Sequence, residues 1–249
     1  LAEMPGGRRV GTIVHDVLER LLTRGDVSGQ SESNIHDAVR SRLKIELPRA
    51  QLDEQWLEPL SAALTRCLAG SITQIDETCS LSRIPRDRLV CEMPFLLRLG
   101  TPDARFSIDA VAAVFEQSKR PLMNRYAERI RRMNVHSLRG MLAGFIDLTF
   151  ECQGRWYIAD YKTNQLGPLT SDYSPENLDR AMVEHDYILQ STLYGVALDL
   201  LLKQRVDSYD FENHFGGVLY LFLRGIPDTG SLDRGIYFDR PEHSLITGL

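Results

Sequence analysis

The sequence is poor in the features that would place a protein in a membrane, outside the cell or among small metal-stapled domains. Its four cysteines in 249 residues, Cys67, Cys79, Cys91 and Cys152, are widely spaced, with no Cys-x-x-Cys pair. That spacing excludes a zinc ribbon, and four are too few for a disulfide scaffold, so buried reduced thiols are expected. The longest near-continuous apolar run, Phe215 to Leu223, is far short of the ~20 residues a membrane helix needs. The N-terminus lacks a basic region followed by an apolar stretch, the pattern of a secretory signal. A soluble, cytoplasmic protein with no membrane partner is the expectation. Positive charge is also scarce: 29 Lys+Arg against 34 Asp+Glu give a net charge of −5, unusual for an autonomous DNA binder. There is no Gly-Lys-Ser/Thr phosphate loop, so ATP-driven work is not expected of these residues.

What is present is ordinary globular composition, 43% hydrophobic and 25% charged. A chain of this size buries roughly 70–75% of its unfolded surface, and with no repeat or obvious linker we read residues 1–249 as a single domain. Residue 1 is Leu, which suggests a piece of a longer polypeptide.

Helical periodicity dominates the first third. Ile13, Val14, Val17, Leu18, Leu21 and Leu22 recur at helical spacing over residues 11–24, with Gly25 as the stop. Residues 34–47 and 52–71 repeat the pattern, broken by Pro48. The period then changes to that of strands: residues 89–99, where Pro94 predicts an edge position or a bulge, and residues 141–152 and 156–163, joined by a short Gln153-Gly154-Arg155 turn as a hairpin. A long helix over 186–203 and a hydrophobic strand over 217–223 follow, and the tail has room for one more short strand. This order predicts an α/β fold, a mixed sheet covered by helices, with a helical N-terminal segment.

The chemistry concentrates in the predicted hairpin. Asp160 and Lys162 are two apart on one strand and share a face, and Asp147 on the neighbouring strand can join them. Carboxylates within apolar strands are costly unless paired or bound to a cation. Hard oxygen ligands of this kind suit Mg²⁺, and a metal beside a lysine is the equipment of phosphodiester hydrolysis. On spacing alone the commoner arrangement is structural: an Asp147–Lys162 cross-strand ion pair with Asp160 at a solvated end.

Wider motifs break that tie. The run GFIDLTFECQGRWYIADYKTN (144–164), with GTIVHDVLE upstream and YILQSTLYGVAL downstream, resembles the RecB family of nuclease domains, a branch of the PD-(D/E)xK nuclease superfamily. The resemblance spans about residues 8–225 and implies the restriction-endonuclease-like core. It implies that Asp147 and Asp160 bind metal, that Lys162 is the catalytic lysine, and that His15 and the main-chain carbonyl of Tyr161 are further ligands. Glu92, two residues before Pro94-Phe95, matches an acid this branch adds to the site. Gln190 and Tyr194 match its Q-x-x-x-Y motif, which holds the lysine and the DNA. His15 and Glu19, like Gln190 and Tyr194, stand four apart on one helix face; without the resemblance, His15 reads as a core histidine, Glu19 as solvated and the Gln–Tyr pair as surface polars. Relatives that carry an iron–sulfur cluster have three closely spaced cysteines downstream, whereas the last cysteine here is Cys152.

The resemblance further implies a helicase–nuclease of the RecBCD type acting in double-strand break repair, with single-stranded DNA delivered by a helicase and RecC-like and RecD-like subunits as partners. The rival expectation is a catalytically idle module that docks a RecA-like recombinase. Every motif position holds a chemically competent residue, which favours the enzyme. Between Lys119 and Arg139 seven basic residues face one acid, Glu128. We read Arg125, Arg129, Arg131 and Arg132 in this run as phosphate-contacting or partner-docking residues.

Overall fold

A computed structural model describes residues 1, 3–100, 107–133, 140–227, 232 and 234–249. Arg139, the end of the basic run, lies outside the described residues. Helix α1 (Arg8–Arg24) starts three residues earlier than its apolar pattern and stops at Gly25, whose φ of 74° lets its N–H reach the Leu21 and Leu22 carbonyls. Helix α2 (Glu32–Arg49) is capped by Ser31 and keeps Pro48 in its last turn, so the proline marks the end of the helix without cutting it at Leu47. Helix α3 (Leu57–Ala69) completes the N-terminal trio.

Strand β1 (Leu89–Leu99) follows, then α4 (Ile108–Glu116) and α5 (Pro121–Arg131), β2 (Gly140–Cys152) and β3 (Arg155–Lys162). Gln153 and Gly154 both have positive φ, 53° and 77°, as a tight two-residue hairpin turn requires. After β3 come α6 (Pro175–Glu184), α7 (Tyr187–Arg205), the single turn α8 (Phe211–His214), β4 (Phe215–Phe222), β5 (Ile236–Asp239) and α9 (His243–Thr247). Between β1 and β2 the described residues fold into two helices, α4 ahead of the basic run and α5 within it.

The sheet order is β1-β2-β3-β4-β5, antiparallel except for β3 against β4, whose parallel pairing needs the helical crossover through α6 and α7. Pro94 does lie on an edge strand, opposite Phe145. Helices α1–α3 bury one face: Val14, Val17 and Leu18, each fully buried, pack on Leu148, Phe150, Ala159 and Leu219. Burying each such side chain contributes about 1.5–3 kcal/mol. Helix α7 covers the other face, with Tyr194, Leu198 and Leu202 against Met93, Ile146, Ile158 and Val218.

One departure from a regular sheet creates the site. β2 pairs with β1 along Gly140–Phe150 but with β3 only from Leu148 to Cys152. At Asp147 it leaves β3, and the sheet opens into a fork. On the other side of β2, Glu92 stands opposite Asp147 with φ 50°, a left-handed conformation rare for a non-glycine residue. Gly144 lets β1 and β2 close beyond the fork: a Cβ there would sit 2.6 Å from the Phe95 ring, which turns edge-on to Tyr194.

Candidate functional site

The residues picked out by sequence converge on this fork from five elements, α1, β1, β2, β3 and α7. From α1, His15 sends Nδ1 to within 3.3 Å of Asp147 Oδ2 and Nε2 to within 3.1 Å of the Tyr161 carbonyl. The Tyr161 N–H donates to Asp147 Oδ2 at 3.0 Å. With β2 gone, side chains take both backbone groups that a continuing ladder would have used. Glu92 completes a trio with His15 and Asp147, whose ligand atoms lie within 4.8 Å of one another. Glu19 lines the same narrow cleft one turn along α1, so the i, i+4 spacing from His15 was informative.

Asp160 lies beside the trio and is nearly inaccessible, 1% exposed. Its Oδ2 is 2.6 Å from Lys162 Nζ, so the observed ion pair is within β3, not between Asp147 and Lys162, and Asp160 is far from solvated. From α7, Gln190 Oε1 accepts from Lys162 at 3.2 Å, and Gln190 Nε2 donates to the Tyr194 hydroxyl at 2.9 Å. The structure thus brings Gln190 to Lys162, and Tyr194 to Gln190.

The electrostatics follow from crowding acids in a buried place. Burial, then the Asp147 charge, pushes the Asp160 carboxyl up to about 7 despite the opposing pull of Lys162. Glu92 is raised by burial and then by the charges of Asp147 and Glu19. For His15 burial disfavours the cation, but the hydrogen bond it donates to Asp147 and the charges of Asp147 and Asp160 together prevail and raise its pKa. Two carboxyls that resist ionisation, Asp160 and Glu92, together with the Asp147 carboxyl, the His15 ring and the Tyr161 carbonyl, form a donor set that a hard divalent cation would satisfy.

The basic run divides. Arg129 grips Asp186 through Nε at 2.6 Å and Nη2 at 3.0 Å, and Arg131 is held by Glu116 and Asp109. Arg125 and Arg132 line an open pocket beside Arg129, with Glu128 and Met133. The thiols also divide, Cys67 and Cys79 being buried and Cys91 and Cys152 half-buried.

Two aromatic residues escaped the sequence reading. Tyr187 and Tyr220 flank Lys162, with Nζ 4.0 Å and 5.1 Å from their ring centroids. Tyr187 precedes Gln190 by three residues and Tyr194 by seven, a one-face spacing visible in the sequence. Tyr220 sits among aliphatics on β4, and only the parallel register that puts it opposite Asp160 reveals it.

Comparison with known proteins shows the family. The profile of the PD-(D/E)XK nuclease superfamily matches residues 2–245. The chain belongs to that superfamily. Among curated relatives of this superfamily member, the RecBCD enzyme subunit RecB of Escherichia coli K12 is 34% identical over 244 residues, covering 98% of this chain and 19% of the relative. The subunit of the same name from Haemophilus influenzae is 30% identical, covering 100% of this chain and 19% of the relative. That from Mycobacterium tuberculosis is 34% identical over 272 residues, covering 100% and 24%. This PD-(D/E)XK chain therefore spans about a fifth to a quarter of the length of these relatives. None of its described helices is long and apolar enough to cross a membrane.

Proposed function

We propose that residues 1–249 form a single Mg²⁺-dependent deoxyribonuclease domain of a RecBCD-type helicase–nuclease, hydrolysing phosphodiester bonds in strands delivered by the helicase. The observation that carries this is the Asp160–Lys162 pair set beside the His15–Glu92–Asp147 trio at the fork in the sheet. The ion would be held by His15, Asp147, Glu92 and the Tyr161 carbonyl, with Asp160 adjacent. The chemistry it supplies when bound is a more acidic water and a neutralised phosphate. Lys162, kept in place by Asp160 and Gln190, offers its ammonium to the charge that develops on the phosphoryl oxygens. Gln190 and Tyr194 fix that ammonium through the helix that carries them, and burial on both sides of the sheet keeps bulk water from screening it.

Arg125 and Arg132 are the members of the basic run best placed to meet phosphates, since Arg129 and Arg131 already hold carboxylates. The printed name of the relatives supports RecC-like and RecD-like subunits as partners; a RecA-like recombinase is a further proposed partner, resting on the family resemblance alone.

The test is cleavage of a 5′-labelled single-stranded oligonucleotide with Mg²⁺ and with EDTA, alongside Asp160→Ala confirmed folded by circular dichroism. Metal-dependent cutting that disappears in the variant is the expected result. Equal cutting by both proteins would overturn the site. Silence from both at low salt, persisting after partner subunits are added, would favour a docking module.

A further inference from the structure

The surroundings of Lys162 contain more than its charge requires. An ammonium has three donors. Asp160 Oδ2 is ion-paired with that of Lys162 at 2.6 Å, and Gln190 Oε1 accepts from it at 3.2 Å. It also stands over the Tyr187 and Tyr220 rings, 4.0 Å and 5.1 Å from their centroids, Tyr187 being the nearer of the two. An aromatic face presents negative charge density to a cation and accepts it without a lone pair. The Tyr187 ring is itself held. Its hydroxyl donates to Asn164 Oδ1 at 3.1 Å, and the His185 ring stacks on it at 5.3 Å. The preceding residue, Asp186, takes the left-handed conformation (φ 58°) and is gripped by Arg129 and by the Tyr126 hydroxyl. The basic run thus acts at one point on the start of α7.

Tyr220 works on the second partner. It is fully buried on β4 opposite Asp160, and its hydroxyl donates to Gln190 Oε1 at 3.0 Å. The Gln190 amide therefore has its oxygen fixed by Tyr220 and its nitrogen fixed by Tyr194, so only the oxygen can face the lysine. Asp160, a partner of Lys162, also feels the charges of Asp147 and His15 of the proposed cation site.

We propose that Tyr187 and Tyr220 are positioning residues for Lys162. Tyr187 supplies the π face that receives its third donor, and Tyr220 locks the Gln190 amide that receives its second. The proposal rests on the nuclease reading for its effect on cleavage and on geometry alone for its effect on the lysine.

Two readouts separate these. The first is the NMR shift of the Lys162 Hε protons in the metal-free protein, assigned by their loss in Lys162→Arg. They resonate upfield in the wild type chiefly because of the nearer Tyr187 ring, stay there in Tyr187→Phe and move most of the way back to ordinary values in Tyr187→Leu, where only the more distant Tyr220 ring of the two remains. The second is steady-state cleavage. Tyr187→Phe stays within about threefold of wild type in kcat, whereas Tyr187→Leu falls tenfold or more with KM for the oligonucleotide and Mn²⁺ affinity unchanged. Tyr220→Phe lowers kcat about fivefold, and adding Gln190→Ala to it costs no more than Gln190→Ala alone. An unmoved Lys162 signal in Tyr187→Leu overturns the proposal whether or not the protein cuts DNA, as does equal kcat loss in Tyr187→Phe and Tyr187→Leu. Shifts that behave as described in a protein that never cleaves would leave the cage standing and remove the nuclease reading.

Discussion

Replacing Glu92 by glycine makes the metal-free protein more stable and the metal site weaker. Glu92 holds φ 50° at the fork, a conformation that costs an L-residue about 1–2 kcal/mol. Glycine adopts it freely but loses roughly 0.5–1 kcal/mol more in backbone entropy on folding. The backbone balance is a net gain of about 0.5–1 kcal/mol. The carboxyl adds to this, since burial and the charges of Asp147 and Glu19 raise its pKa and so disfavour its ionised form in the fold. Glu92→Gln removes the charge and keeps the strained backbone, so the difference between Glu92→Gly and Glu92→Gln isolates the strain. In thermal unfolding with EDTA, Glu92→Gly should melt roughly 1–4 °C above Glu92→Gln for a chain of this size. Titration calorimetry with Mn²⁺ should show both variants binding at least tenfold more weakly than wild type. Glu92→Gly melting at or below Glu92→Gln would refute the argument that strain is stored here for the sake of the site.

Three further outcomes follow from the geometry. The Asp160 carboxyl titrates at about 7 in the fold against about 3.9 in an unfolded chain, so its contribution to stability is intact below about pH 4 and is lost as the pH rises to 7, on the order of 4 kcal/mol in all. Urea midpoints at pH 5 and pH 8 in EDTA should therefore fall with pH in the wild type and fall less in Asp160→Asn; equal slopes would sink the assignment. Gly144→Ala drives a methyl into the Phe95 ring and away from the Tyr194 contact, costing about 1–3 kcal/mol by chemical denaturation, and an unchanged midpoint would show that Phe95 yields freely. Arg125→Ala with Arg132→Ala should flatten the dependence of log affinity on log salt for single-stranded DNA by about 1.4, whereas Arg129→Ala should leave that slope unaltered and lower stability by about 1 kcal/mol at most, because its carboxylate partner is half-exposed.

The sheet and the site were unequally legible from sequence. Strands β1, β2 and β3 follow their alternation closely, and the Gln153-Gly154 turn shows in two residues that tolerate positive φ. Helix α5 was hidden because its basic surface residues dominate the run, while the apolar stripe of Leu122, Met123, Tyr126 and Ile130 that buries it is short; α4 is only nine residues long. The site positions were named by motif, but their grouping was not. Spacing on a regular hairpin would put Asp147 beside Asp160 and Lys162. The fork instead turns Asp147 toward His15 and Glu92 and leaves Asp160 to Lys162. No periodicity encodes where two paired strands part. Tyr220 was invisible for a related reason, since parallel register is set by a crossover some fifty residues long.

The fork also gives the protein an internal gauge. In an intact ladder an amide exchanges with solvent only when the strands separate, which for central strands approaches global unfolding. The Tyr161 amide is the exception within β3, because its proton is guarded by the Asp147 carboxylate alone. Its exchange rate therefore reports how often that single side chain lets go, on a scale of its own, while Ile158 and Ala159 a few residues away keep the slow clock of the sheet.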